Sequence, residues 1–460
     1  MLRYLLRSSL AFCSIFGVVR AIDNHQNVLR QEYLKQHHDI DDTIREQPAH
    51  THVFKESIPM LSSRSDLQKR SRVHHDYIHE VIFFIRPKNI NELTRVLHDV
   101  SNPTSLNYGQ HWTKQEVSDF TSNPDARDAV VSYLNSNGAS VVSETLNGEY
   151  ITANARIAVW EDMFDTEFFI FHQTIHEKSP RVEKIVRTEK YSIPMQLDPH
   201  VEYVFNTIDV LIQSSGSSPK IQPLPEQKSK SKFNALGEGA TFAPLGSITP
   251  YRIKSYYNMS NDARGNNYST QGIFTTNNRY YSDQDLLYFQ QFFELPQRPV
   301  AVSIGDHMNH TKCLINYGNC AEPNLDLNWI MSMSPLSPTT NYYTGLHFLY
   351  WLIELANTVK PALVYSISYG GSELGYPASY RSAFTTYAIK LGTMGVTIFT
   401  ASGDDGANNY RGGGSCGYSP EFPSTSPYVT AVGATSVSLT FLIATLFAIK
   451  KMHKCIVLNL

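Results

Sequence analysis

Neither sign of charge dominates this chain. Its 39 lysines and arginines stand against 42 aspartates and glutamates over 460 residues, a net charge of -3. There is thus no global basic field to hold nucleic acid or an anionic membrane surface. An apolar run of about 18 residues, the length a membrane span needs, is also missing, so a membrane partner is not expected. Cysteines number only five. Histidine is scarce where catalysis would want it: thirteen of the seventeen lie before residue 201, leaving His307, His310, His347 and His453. None of these four stands in a motif expected of a Ser-His-Asp hydrolase. A hydrolase built in the C-terminal half would therefore take a carboxylate as its base.

What is there begins with two arginines leading into the apolar run Leu10 to Val19, followed by small residues around Ala21. This reads as a secretory signal peptide over 1–21, with a signal-anchor as the alternative. Three Asn-x-Ser/Thr sequons, at Asn258, Asn267 and Asn309, are expected glycosylation sites and agree with that route. Cys13 leaves with the signal, Cys313 and Cys320 are close enough in sequence to close a small loop as a disulfide, and Cys416 and Cys455 have no evident mates.

Residues 22–75 are polar, histidine-rich and without sustained period, which predicts a loosely ordered segment. A small α+β domain is expected over 76–213. Tyr77 to Arg86 alternates like a half-buried strand, and Asn89 is placed to cap a helix carrying Leu93, Val96 and Leu97 on one face. Two strands flank the turn Asn147-Gly148, and Arg156 to Phe164 is amphipathic. The Ser-, Lys- and Pro-rich stretch 214–249 cannot bury apolar area and is expected to be an exposed linker, either a cleavable propeptide junction or a plain tether. Beyond it, over 250–435, strands alternate with helices. The expected helices run Leu286 to Phe293, Leu325 to Met333, Thr344 to Asn357 and Ser379 to Leu391. The strands are Pro299 to Ile304, Leu363 to Ser368, Val396 to Ala401 and Tyr428 to Gly433. That alternation predicts an α/β fold with a doubly wound, mostly parallel sheet.

In such a sheet chemistry sits beyond the carboxyl ends of strands, and Val396 to Ala401 runs straight into Ser-Gly-Asp-Asp-Gly, carrying Asp404 and Asp405. Glu322 and Asp326 are four apart at a helix start, a spacing that puts two carboxylates on one face at a cost in repulsion. Four segments occur in the order and spacing of the sedolisins, the serine-carboxyl peptidases: Glu322-Pro-Asn-Leu-Asp326, Ser366-Ile-Ser-Tyr-Gly-Gly371, Ala401-Ser-Gly-Asp-Asp-Gly-Ala407 and Phe422-Pro-Ser-Thr-Ser-Pro-Tyr-Val-Thr-Ala-Val-Gly433. Upstream, Ser101-Asn-Pro-Thr-Ser-Leu-Asn-Tyr-Gly109 followed by Trp112-Thr-Lys resembles the sedolisin propeptide.

The resemblance implies a subtilisin-like peptidase fold preceded by an α+β propeptide domain, a secreted or lysosomal location, a peptide or protein substrate, and the propeptide as an internal partner. It also implies that Glu322 is the general base, Asp326 the carboxylate that holds it, Asp404 the acid that donates to the oxyanion, and Ser368, Tyr369 and Gly370 the strand that pairs with extended peptide. A carboxylate base accepts protons at a pH where histidine is already charged, and a protonated Asp404 is needed to donate, so activity is expected in acid. Asp405 beside it would raise the pKa of a buried Asp404 further.

Two departures stand out. Pro323 directly follows Glu322, which predicts that Glu322 lies at the cap rather than inside the helix. The nucleophile serine, carried in sedolisins by a Gly-Thr-Ser segment well downstream, has no counterpart here, and the segment that would hold the family's Ca2+ is absent with it. Ser436 follows the earlier Gly-Ala-Thr and is not that serine. The apolar then basic tail 436–460 reads as an alternative or truncated end, with a buried strand or membrane-proximal tail as alternatives. Two functions remain: an acid-acting tripeptidyl- or endopeptidase precursor, and a non-catalytic relative that binds peptides or peptidases. The histidine skew adds an expectation that protonation between about pH 7 and 5 loosens the propeptide by mutual repulsion.

Overall fold

A computed structural model describes residues 51–57, 67–175, 181–210, 248–345, 348–404 and 420–433. The signal, nearly all of the linker, the tail, Asp405, Cys13, Cys416 and Cys455 lie outside the described residues. In chain order the first module comprises β1 (His52–Ser57), β2 (Leu67–Arg72), β3 (Ile78–Ile85), α1 (Ile90–Ser101), α2 (Lys114–Thr121), α3 (Pro124–Ser136), β4 (Ser140–Glu144), β5 (Tyr150–Arg156), α4 (Ile157–Phe164), β6 (Phe169–Ile175), β7 (Arg181–Arg187), β8 (Lys190–Pro194) and β9 (Val201–Phe205). The second comprises α5 (Pro250–Tyr256), β10 (Gln271–Thr275), α6 (Asp283–Phe292), β11 (Val302–Ile304), α7 (His310–Ile315), α8 (Ala321–Met333), β12 (Thr339–Tyr343), α9 (Phe348–Asn357), β13 (Val364–Ile367), β14 (Gly371–Ser372), α10 (Ala378–Thr393), β15 (Thr397–Ala401), β16 (Glu421–Phe422) and β17 (Thr430–Val432).

The first module is α+β, as expected. Its main sheet runs β4-β5-β3-β9, all antiparallel. The run Ile82-Phe-Phe-Ile85 is apolar on consecutive residues because this sheet is covered on both faces. Phe83 meets Trp160 and Phe164 of α4, while its neighbour Phe84 stacks on Tyr150 and meets Tyr387 of α10. Two strands occur inside the segment read as loosely ordered: β1 pairs with β8, and β2 with β6. Their charged sequences, such as Leu67-Gln-Lys-Arg-Ser-Arg72, carry no strand signal, and the partner strands supply the ladder. Asn89 precedes α1 but caps it with no side-chain hydrogen bond; its side chain donates instead to Phe120 O at 2.9 Å.

The second module carries the expected parallel sheet, ordered β11-β12-β10-β13-β15-β17. Ser282 caps α6 by accepting from Asp285 N at 3.0 Å. Two expectations need correction. The strand expected over 299–304 is shorter, the exposed three-residue edge β11. Thr344 and Gly345 lie outside the helix expected from Thr344, which is described over Phe348–Asn357. Strand β12 gave no signal, since Thr-Thr-Asn-Tyr-Tyr is mostly polar. It is nonetheless interior, because Gln271 Nε2 donates to Thr339 Oγ1 and Thr275 Oγ1 donates to Asn341 Oδ1, both at 3.0 Å. Among the described residues no helix is long and apolar enough to cross a membrane.

Helix α10 belongs to both modules. Tyr380 and Tyr387 pack on Phe205, Phe84 and Tyr150 of the first sheet, within one continuous core. Lys390 Nζ donates to Glu149 Oε1, and Tyr387 Oη donates to Glu149 Oε2 at 2.6 Å, with both charged residues buried. Glu56 accepts from Ala378 N and Ser379 Oγ at the helix start, and Trp112 N donates to Thr393 O at its end.

Removing one partner of a buried ion pair strands the other. Lys390→Met is expected to lower unfolding stability by roughly 3–5 kcal/mol, and adding Glu149→Leu to restore much of it, in urea titrations of the single and double variants. A second expectation concerns His79, buried with Nε2 donating to Asn206 O at 2.8 Å. Burial is the main cause that pushes its pKa down to about 4, with Arg187 adding to it against the Asn206 bond and Asp209. The unfolded chain protonates near 6.5, so this contribution is whole above 6.5 and is lost as pH falls toward 4, at about 1.4 kcal/mol per pH unit. His79→Gln is expected to flatten that loss in unfolding titrations between pH 7 and 4. The other described histidines of this module are exposed or half-buried, while His25, His37, His38, His50 and His176, on which the expected mutual repulsion also draws, lie outside the described residues.

Candidate active site

Strands β10, β13 and β15 are neighbours running in one direction, so the loops leaving their carboxyl ends lie side by side. From β10 the chain reaches Arg279, from β13 Ser368, Tyr369 and Gly370, and from β15 Asp404. Helix α8 brings Glu322 and Asp326 to the same edge.

The helix starts at Ala321, four residues earlier than expected. Pro323 therefore stands in the first turn, where a missing N–H costs no intrahelical bond. Glu322 is the second helical residue rather than a cap, in helical register with Asp326. Asn324 anchors this turn, accepting from Ser282 N at 2.9 Å and donating to Asp285 Oδ2 at 2.8 Å.

Ser368 Oγ donates to Asp326 Oδ1 at 2.6 Å, while Asp326 Oδ2 is buried without a hydrogen-bond partner. Some of the Asp326 residue remains at the surface, but its carboxyl group is sealed. Burial first, then the Glu322 charge, push Asp326 up to about 8, against the Ser368 bond, which favours the carboxylate. Glu322 is also raised, mainly by burial and then by Asp404, with the Arg279 cation acting in the opposite direction. The two acids titrate as a coupled pair that holds a proton well above the usual carboxylate range.

Asp404 is exposed at the end of β15, two residues past Ser402, whose N–H donates to Val432 O at 3.0 Å. The turn between them needs glycine: Gly403 has φ +95°, and a Cβ there would fall 2.6 Å from the Glu421 carboxyl carbon. The same carboxylate backs onto Gly370, where a Cβ would lie 2.9 Å from Glu421 Oε2. Ser368 is turned toward Asp326, and Tyr369 is buried edge-on to Phe274 at 5.7 Å. After Gly370 the chain forms β14, paired with β16.

Arg279 and Glu421 were missed in the sequence. A lone arginine after two asparagines and a lone glutamate before Phe-Pro form no pattern; only the adjacency of strand ends reveals them. Cys313 and Cys320 are joined, with an S–S distance of 2.06 Å. Asn258 and Asn267 are exposed, and Asn309 caps α7 by accepting from Lys312 N at 3.0 Å. Among the described residues no group of three or more histidine, cysteine, aspartate or glutamate side chains is arranged to hold a metal ion.

Residues 65–210 match the pro-kumamolisin activation domain. Tripeptidyl-peptidase 1 of Mus musculus is 27% identical over 378 residues, covering 78% of this chain and 62% of the relative. That of Dictyostelium discoideum is 29% identical over 386 residues, covering 77% of this chain and 61% of the relative. Among solved structures, Pseudomonas sedolisin (serine-carboxyl proteinase) complexed with two molecules of pseudo-iodotyrostatin is 23% identical, covering 41% of this chain and 54% of that one, with a TM-score of 0.33. The resemblance to the sedolisins is borne out by the first three matches, and the chain spans about 62% of the length of the mouse relative.

An acid whose folded pKa lies above its unfolded value is stabilising only while protonated, so its cost to the fold grows as pH rises from about 4 toward 8. Asp326→Asn is expected to remove this component, about 1.4 kcal/mol per pH unit over that window, as a difference between wild-type and variant unfolding titrations.

Proposed function

We propose that this chain is the precursor of an acid-acting serine-carboxyl peptidase, of tripeptidyl-peptidase or endopeptidase type, that travels the secretory route to a lysosome or out of the cell. The observation that carries this reading is the meeting of Glu322, Asp326 and Asp404 at the carboxyl ends of adjacent parallel strands, with two of the three raised in pKa. In this reading the first module is the propeptide, the linker its cleavable junction, and a peptide or protein the substrate.

The chemistry is acyl transfer. A serine oxygen attacks the peptide carbonyl while Glu322 takes its proton, and Asp326, protonated over most of the working range, donates toward Glu322 and holds its orientation. The carbonyl oxygen becomes an oxyanion, and the protonated form of Asp404 donates to it. Glu322 then returns the proton to the leaving amine. Water repeats the sequence on the acyl-enzyme. Calcium, which the family binds, would add structural support and enters none of these steps.

The sequence holds no Gly-Thr-Ser segment to supply the attacking serine. A second reading is that the chain binds peptides without turning them over. Cleavage of an unblocked reporter peptide at pH 4–5 is expected, and Glu322→Ala is expected to lower it by at least about 100-fold. Peptide binding without cleavage at any pH would replace the first reading by the second, and neither binding nor cleavage would sink both.

A further inference from the structure

Glu322 must be held still and kept ionisable in a site where burial and Asp404 both favour its neutral form. The residues that do so come from one short segment. Asn277 and Asn278 both take left-handed backbone angles, φ 60° and 53°, and turn the chain sharply after β10 so that Arg279 and Tyr280 face the loop closed by Cys313 and Cys320. Arg279 Nη1 donates to Gly318 O, and Tyr280 N donates to Asn319 O at 2.9 Å. Cys320 is the next residue, and α8 begins directly after it with Ala321 and Glu322. A few residues on, Ser282 and Asp285 grip Asn324 from the other side. The first turn of α8 is thus clamped at both ends by residues 279–285.

We propose that Arg279 is the positioning residue of Glu322: its guanidinium ties the disulfide loop that launches α8 and places a positive charge beside the Glu322 carboxylate. The inference deepens the peptidase reading and rests on it for the role of Glu322 as base. Asparagine turns of this kind are cheap, whereas a half-buried arginine spent on one backbone carbonyl is not, unless its charge is also used. That use is electrostatic. Among the described residues the groups that act electrostatically on Glu322 are Asp326 on its own helix, Asp404 from the end of β15, Tyr369 from the end of β13 and Arg279 from the end of β10. Arg279 alone among them is a cation, so it opposes the two acids and the burial. Lysine would keep the charge but not the planar fork; glutamine would keep a donor and lose the charge.

The test uses the full chain labelled with 13C at glutamate side-chain carboxyls, the Glu322 signal being assigned by its loss in Glu322→Gln. Arg279→Gln is expected to move the Glu322 titration upward by about one pH unit or more, the effect of removing an opposite charge at close range, while Arg279→Lys keeps most of the wild-type position. The acid limb of peptide cleavage is expected to shift with it. A Glu322 titration unmoved in Arg279→Gln, with thermal stability lowered, would reduce Arg279 to a structural tie and overturn the proposal. The titration is read whether or not the chain cleaves peptide. A moved titration in an inactive chain supports the hold of Arg279 on Glu322 while removing the peptidase reading, and the two failures are separable.

Discussion

Two carboxylates four residues apart on one helix face repel each other, and here they do so where both are partly buried. Asp326 cannot release its proton cheaply while Glu322 is charged, because burial already disfavours its ionised form. Everything around the pair answers that constraint. Ser368 satisfies one oxygen of Asp326, Arg279 offers a countercharge to Glu322, and Asn324 fixes the helix turn that carries both. Such an arrangement is costly for stability at neutral pH. It is useful where protons are moved, which is why strongly perturbed acids gathered at a sheet edge point to chemistry rather than to packing.

The other organising element is α10. A helix that packed only on the parallel sheet would present polar residues outward, yet Tyr380, Tyr387 and Lys390 are buried beneath the first module's sheet. The two modules therefore share a core through rings and one ion pair, an interface closer in character to a domain interior than to a transient contact. Parting the modules would expose several tyrosines and leave Lys390 without Glu149. Acid acts on both sides of this interface in opposite senses. Falling pH relieves the carboxylate pair in the second module, and it loads a proton onto His79, which the folded first module resists.

Much of this was legible before any coordinates. The apolar runs at Ile82–Ile85 and Val364–Ile367 announced strands, the spacing of Glu322 and Asp326 announced a shared helix face, and the glycine before Asp404 announced a turn beyond a strand. What was not legible has physical causes. β12 is polar because its side chains bond across the sheet rather than packing apolarly. β1 and β2 are charged because they lie on exposed ladders whose register comes from β8 and β6. Helix α8 starts earlier than Pro323 suggested, since proline in a first turn gives up no hydrogen bond.

The sequence by itself determined the parallel α/β character, the α+β module before it and the acidic residues of the site, because periodicity, turn glycines and helical spacing are local properties of a chain. Only the tertiary structure decided that Arg279 and Glu421 stand among those acids, that Ser368 serves Asp326, and that α10 is shared by both modules. Those facts depend on which strand ends become neighbours and which helix faces are covered twice, and no local pattern encodes the order of strands in a sheet.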